Sequence, residues 1–256
     1  MKKKLIAALV FISLAISVTT NAFAKSDQLA WFIKRNGKSS PGFSSASALV
    51  DKCNGYYIDK IAASNGEKIL YLTFDAGYEN GNIARILDVL KAENVPAAFF
   101  ILDNLILKNE DLVTRMTDDG HLVCNHTKNH RNLSACSAEE IEKNLTDLEK
   151  IYEERTGKNL DKYFRFPEGK FSESALKAVC NMGYKTIFWS FAYDDWDDAR
   201  QPNAEAAIKK ILANTHDGAV ILLHPTSKTN TEILPRLISA WRQMGYRFGT
   251  LDDLTK

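Results

Sequence analysis

The sequence predicts an α/β fold, a parallel sheet of about seven strands covered by helices, which suits a (β/α) barrel. Three observations point there. From Lys68 onward, short apolar, β-branched or aromatic runs alternate with helical patterns. Those runs are continuously apolar rather than alternating, as expected of strands buried on both faces. Polar residues directly follow five of the runs, and parallel α/β folds bind ligands at the carboxyl ends of their strands. A doubly wound open sheet is the competing arrangement, and periodicity alone does not separate the two.

The expected strands are Ile69–Phe74, Ala97–Leu102, His121–Asn125, Tyr163–Arg165, Thr186–Phe191, Val220–Leu223 and Tyr246–Thr250. Between them, Ile83, Ile86, Leu87 and Leu90 repeat at i, i+3, i+4, i+7, as do Leu234, Leu237, Ile238 and Trp241. Ile208, Ile211 and Leu212 form a shorter stripe. Ser137 with Glu140 is a capping box that opens a helix carrying Ile141, Leu145, Leu148 and Tyr152. Upstream, residues 25–66 are irregular, with Gly37, Pro41, Gly42 and the serines from Ser39 to Ser47. They read as an N-terminal extension wrapping the body, with one helical turn at Ser47–Lys52. Residues 67–256 make the main unit.

Composition narrows the function. The 256 residues hold 33 Lys+Arg and 32 Asp+Glu, a net charge of +1, with 45% hydrophobic and 25% charged residues. That excludes collagen-like, disordered and coiled-coil chains, and the missing basic excess excludes nucleic acid as a partner.

The start is distinct. Met1-Lys2-Lys3-Lys4, an apolar run from Leu5 to Val18, and Ala22-Phe23-Ala24 have the order of a secretory signal peptide, residues 1–24. The run is too short for the about 20 residues that cross a bilayer. Its removal takes three lysines and no acid, leaving 30 basic and 32 acidic side chains, a charge of −2. The mature protein is therefore expected to be secreted or cell-wall associated, a monomer that meets the membrane only through its signal peptide. Cys53, Cys124, Cys136 and Cys180 permit one or two disulfides in such a compartment, or four thiols. Their spacing is no zinc motif.

At or just past the strand ends come Asp75, then His126 and His130, Arg165, which closes its run, Asp194-Asp195-Trp196, and His224. Singly each is ordinary: a turn carboxylate, surface histidines, an ion-pair arginine, a solvated acidic loop, a buried histidine. His121 and His216 are read as structural, and Trp189 as core rather than cleft. Together the set meets the needs of metal-assisted hydrolysis. Two imidazoles four residues apart can face one ion, and a carboxylate takes the proton of the attacking water. A histidine protonates the leaving amine, and a second carboxylate favours its charged form.

In this order, Thr73-Phe74-Asp75-Ala76-Gly77, His126-Thr127-Lys128-Asn129-His130, Arg165-Phe166-Pro167-Glu168-Gly169, Asp195-Trp196 and Leu223-His224 resemble the five motifs of the polysaccharide deacetylases, nodulation-protein-B-like enzymes of carbohydrate esterase family 4. The likeness spans residues 67–256. Thr73 to Asn80, Val95 to Phe100 and Phe188 to Ala192 look like the branch of peptidoglycan N-acetylmuramic acid deacetylases that lead to muramic delta-lactam in spore cortex. The resemblance implies a distorted (β/α) barrel that removes acetyl groups from a glycan with a divalent metal. It makes Asp75 the catalytic base, His126 and His130 metal ligands, Arg165 the partner of the base, Asp195 the carboxylate that tunes the acid, and His224 the general acid. Tyr78, Trp196 and Leu223 are expected against the substrate.

One position departs from the pattern. The family usually has a second aspartate as third metal ligand, which the muramic branch is known to lack and in whose place this chain has Ala76. A site of two histidines and solvent is expected to bind its ion weakly, zinc first, with manganese or cobalt as alternatives. Glu168, where relatives often carry arginine, is given no catalytic role. Peptidoglycan strands are the first expected substrate, and chitin-type or xylan polymers the second. A silent glycan-binding protein is the reading of another class. Acetate release separates the three, and the intact proton-transfer set argues against the last.

Overall fold

The computed structural model describes residues 27–256. The expected signal peptide, residues 1–24, lies outside the described residues. The extension forms β1 (Leu29–Ala30), β2 (Ile33–Asn36), β3 (Ser39–Phe43), α1 (Ser47–Lys52), β4 (Gly55–Tyr56) and α2 (Lys60–Asn65). Strands and helices then alternate as β5 (Ile69–Ala76), α3 (Ile83–Ala92), β6 (Ala97–Ile101), α4 (Asp103–Lys108), α5 (Glu110–Asp118), β7 (Leu122–Asn125), α6 (Ala138–Thr156) and β8 (Asp161–Phe164). There follow β9 (Lys170–Phe171), α7 (Glu173–Asn181), β10 (Lys185–Ile187), α8 (Ala204–Ala213), β11 (Ala219–Leu223), α9 (Lys228–Gln243), β12 (Arg247–Phe248) and α10 (Leu251–Leu254).

The main sheet runs β11-β5-β6-β7-β8-β10-β4, with every pair parallel, and β12 lies beside the start of β5. It curls into a distorted (β/α) barrel rather than staying open. The loop after β10 closes the curl, with Ser190 and Phe191 N–H donating to the Val220 carbonyl at 2.9 and 3.1 Å and Leu222 N–H to Phe191 at 2.9 Å.

Strand parity divides the core. Ile69, Tyr71, Ala98, Phe100, Cys124, Tyr163, Ile187 and Val220 pack inside the curl, plugged by Leu251 and Leu254 of α10. The alternate residues Leu70, Leu72, Phe74, Ala97, Phe99, Val123, Ile221 and Leu223 face outward onto α3, α5, α8 and α9. The expected helix stripes are the ones buried there, with Ile83, Ile86, Leu87, Leu90, Leu234, Leu237, Ile238 and Trp241 all fully enclosed. The capping box is complete: Ser137 N–H donates to Glu140 Oε2 at 2.9 Å and Glu140 N–H to Ser137 Oγ at 3.2 Å.

The extension does more than wrap the body. Its β4 is the last strand of the sheet, pairing Gly55 with Thr186 and Tyr56 with Ile187. Only glycine suits position 55, where a Cβ would meet Val50 Cγ1 at 2.3 Å. Two residues, Gly-Tyr, have no hydrophobic period, so the strand leaves no signal in the sequence. Further up, β1 pairs with β9, and Trp31 N–H donates to the Gly169 carbonyl at 2.8 Å, which carries Trp31 to Arg35 to the carboxyl end of the barrel. The four cysteines are free thiols, two of them, Cys53 and Cys124, buried.

Candidate active site

An open cleft of about 900 Å³ lies at the carboxyl ends of the strands, with Asp75, His126, His130, Trp189, Trp196 and His224 among its lining residues. Position along each strand explains the convergence. Asp75 follows the inward residues Tyr71 and Thr73, His126 follows Cys124, Arg165 follows Tyr163, and His224 follows Val220 and Leu222, each at an even interval. All four therefore turn inward.

Arg165 is wholly buried, yet each part of its guanidinium is used. Nη1 donates to Asp75 Oδ1 at 2.8 Å, Nη2 to Thr73 Oγ1 at 2.9 Å, and Nε to the Ile187 carbonyl at 3.0 Å, while the plane lies 4.2 Å from the Phe100 ring centroid. Thr73 in turn donates to the Ile221 carbonyl at 2.8 Å. Burial pushes the Asp75 carboxyl up. The positive charge and hydrogen bond of Arg165, with His224 behind them, outweigh that and hold it below its ordinary 3.8. Asp75 is thus an ionised carboxylate whose Oδ1 is tied and whose Oδ2 faces His126 Nε2 at 3.5 Å.

Asp195 and His224 form a second pair. His224 Nδ1 donates to Asp195 Oδ1 at 2.8 Å, its backbone N–H to Oδ2 at 2.8 Å, and Asn230 Nδ2 to Oδ2 at 2.6 Å. Asn230 sits in the first turn of α9 and also accepts a hydrogen bond from the Tyr193 hydroxyl. Burial pulls the His224 pKa down, but the hydrogen bond and charge of Asp195 more than reverse this, and it stands above 6.5. Its Nε2 is the ring nitrogen left for the cleft, which His224 lines.

The histidine pair fits a divalent ion in part. His126 Nδ1 donates to the Arg165 carbonyl at 2.9 Å, which fixes the proton there and leaves Nε2 as a lone-pair donor. Burial lowers its pKa to about 4, so the ring is neutral. His130, at φ 58°, brings its ring to 5.1 Å from that of His126. Among the described residues no third ligand completes the set. Ala76 is fully buried in the outer core, and among the described residues no group of three or more His, Cys, Asp or Glu side chains is arranged to hold a metal. These donors suit an open site finished by solvent.

Two expected substrate residues lie on the cleft. Trp196 and Tyr78 are 59% and 43% exposed at its rim, and the Tyr78 hydroxyl donates to Asp198 Oδ2 at 2.7 Å. Leu223 does not. It points into the outer core at 1% exposed, and its neighbour Leu222 lines the cleft, because successive strand residues face opposite ways. Trp189 packs with the extension and also lines the cleft. Glu168, at φ 55°, lines it too and pairs with Lys170. Of the histidines read as structural, His216 bonds Ser190 Oγ at 2.9 Å, while neither nitrogen of buried His121 has a partner among the described residues. Sequence reasoning missed Asn230, Thr73 and the extension residues Trp31, Phe32 and Arg35, because a hydrogen bond to a distant residue or a hairpin folded over a barrel mouth has no local pattern.

Residues 62–187 match the family described as polysaccharide deacetylase. The chain is 35% identical over 230 residues to the peptidoglycan-N-acetylmuramic acid deacetylase PdaA of Bacillus subtilis, covering 89% of this chain and 86% of that one. The solved structure of that protein, a family 4 carbohydrate esterase, aligns with a TM-score of 0.84 over 90% of this chain and 97% of its own. A peptidoglycan-N-acetylglucosamine deacetylase of Bacillus cereus is 30% identical over 195 residues, 75% of this chain and 90% of that one.

Proposed function

The chain belongs to the polysaccharide deacetylase family, and on that premise we propose that it removes the N-acetyl group from N-acetylmuramic acid residues of peptidoglycan. The supporting observation is the 35% identity, spread over 89% of the chain, to a relative named for that reaction. The freed amine lies beside the lactyl group of the same sugar, so its product is the precursor of a muramic delta-lactam. Substrate of this kind places the enzyme outside the membrane, secreted or wall-associated, in keeping with a signal peptide at residues 1–24. Residues 67–256 are the catalytic unit and 25–66 its extension, acting as a monomer.

Each residue has a part. Asp75 takes the proton of the attacking water on Oδ2, since Oδ1 is held by Arg165. Arg165 keeps that carboxylate ionised and oriented. His224, protonated through Asp195, gives its Nε2 proton to the leaving nitrogen, and Asn230 holds Asp195 in line. His126 and His130 would hold a divalent ion, zinc first, which when bound supplies Lewis-acid polarisation of the acetyl carbonyl. Tyr78 and Trp196 offer aromatic faces to the sugar rings.

The test is acetate release from muramic-rich strands stripped of stem peptides, beside chitin oligomers, with and without added metal, for the wild type and Asp75→Asn. Release from the muramic strands that is lost in Asp75→Asn is expected. Release from chitin alone would overturn the muramic assignment. Glycan binding without release from either would make the protein a silent binder.

A further inference from the structure

Among the described residues that line the cleft, Arg35 is the only lysine or arginine. It comes from β2, in the extension, and not from the barrel. Among the described residues no carboxylate pairs with it. Its Nη2 donates to the Ala192 carbonyl at 2.7 Å, and its guanidinium lies 5.9 Å from the Phe191 ring centroid. Those two contacts hold the group in place and leave most of its five N–H donors unused. The carboxylates that share the cleft are engaged or apart. Asp75 is tied to Arg165 and Glu168 to Lys170, and exposed Asp194 makes no ion pair with Arg35. An anchored guanidinium with open donors is matched to a carboxylate on the ligand, which it can grip through two parallel hydrogen bonds.

Resting on the muramic reading above, we propose that Arg35 determines substrate specificity by binding the lactyl carboxylate of the muramic residue. The lactyl ether that carries this carboxylate is the chemical difference between muramic acid and glucosamine, and it is attached at the ring carbon next to the one bearing the acetamide. A charge on the cleft wall therefore reads the sugar beside the bond that is cut. The same reasoning assigns a task to the extension, which carries the reading residue over a barrel that supplies the chemistry. A strand whose lactyl groups are blocked as neutral amides offers only a weak partner to the guanidinium.

The experiment compares kcat and KM of the full chain on stem-free muramic strands with a free lactyl carboxylate and on the same strands converted to the primary amide. Wild type is expected to favour the acid by about tenfold, carried in KM, as fits one charge-assisted contact at a solvent-open rim. In Arg35→Gln that ratio should fall to about one. Arg35→Met, which retains an apolar stem against Phe191, should show the same collapse, so that lost packing is not the cause. A wild type without preference, or variants that retain it, would overturn the proposal while muramic turnover leaves the proposed function standing. If wild type deacetylates only chitin oligomers, both readings fall together.

Discussion

His224 and Asp195 grip each other twice: the imidazole Nδ1 donates to one carboxylate oxygen and the backbone N–H of the same histidine to the other, both at 2.8 Å. Side chain and main chain of one residue thus fix the orientation of the other. Removing the charge while keeping the shape tests what the grip does. In Asp195→Asn the His224 pKa loses its main upward influence, so the basic limb of kcat/KM should move to lower pH, and activity near neutrality should fall by roughly 10²–10⁴. An unmoved limb would show that His224 is not the acid.

The same pair affects stability. The folded His224 pKa lies above 6.5, so its protonated form stabilises the fold. That contribution is full below pH 6.5 and is lost as pH rises through the folded value. The thermal midpoint of wild type should therefore exceed that of His224→Gln by most at acid pH and converge with it at alkaline pH. A constant difference across the range would exclude the linkage.

Arg165 is a buried cation whose loss would leave the Asp75 carboxylate with its desolvation uncompensated. Arg165→Met should cost about 3–5 kcal/mol in denaturant unfolding. Its acidic activity limb should rise, because burial then pushes Asp75 up unopposed by the guanidinium. Adding Asp75→Asn should recover part of the stability and none of the activity. A double variant no more stable than the single would mean that the cost comes from lost packing on Phe100 instead.

As a metal site, two imidazoles without a third protein ligand would hold their ion loosely. Dialysis against a chelator should abolish activity, and added zinc, cobalt or manganese should restore it, with little change in the thermal midpoint. Zinc retained one-to-one through the dialysis would contradict an open two-histidine site.

Trp31 links the extension to the cleft, donating its indole N–H to the Trp189 carbonyl at 2.9 Å and stacking on Phe188 at 4.7 Å. Trp31→Ala should destabilise the protein by about 3–5 kcal/mol, as a buried aromatic deletion does. Limited proteolysis should then cut within residues 29–43 before the barrel. Resistance there equal to wild type would show the extension to be held without it.

Much of this was legible before the structure. The runs at Ile69–Phe74 and Val220–Leu223 read as buried strands, and they are β5 and β11, because continuous apolar runs have few other uses in an α/β chain. Ser137 and Glu140 marked a helix start to the residue, since a capping box is a local device. Asp75, His126, Arg165 and His224 were legible as strand-end residues, though the sequence did not say that they share one face. Leu223 shows the limit: one position from Leu222, it belongs to the other side of the sheet.

The order of strands and helices and the polar residues at the strand ends are written in the chain, because periodicity, capping and residue identity are properties of neighbours along it. Which of those residues meet, that Asn230 bonds Asp195, and that the extension brings Trp31 and Arg35 to the cleft follow from the folded arrangement alone. Those contacts join positions such as Trp31 and Trp189, 158 residues apart, through the curl of a sheet, and no local pattern encodes a curl.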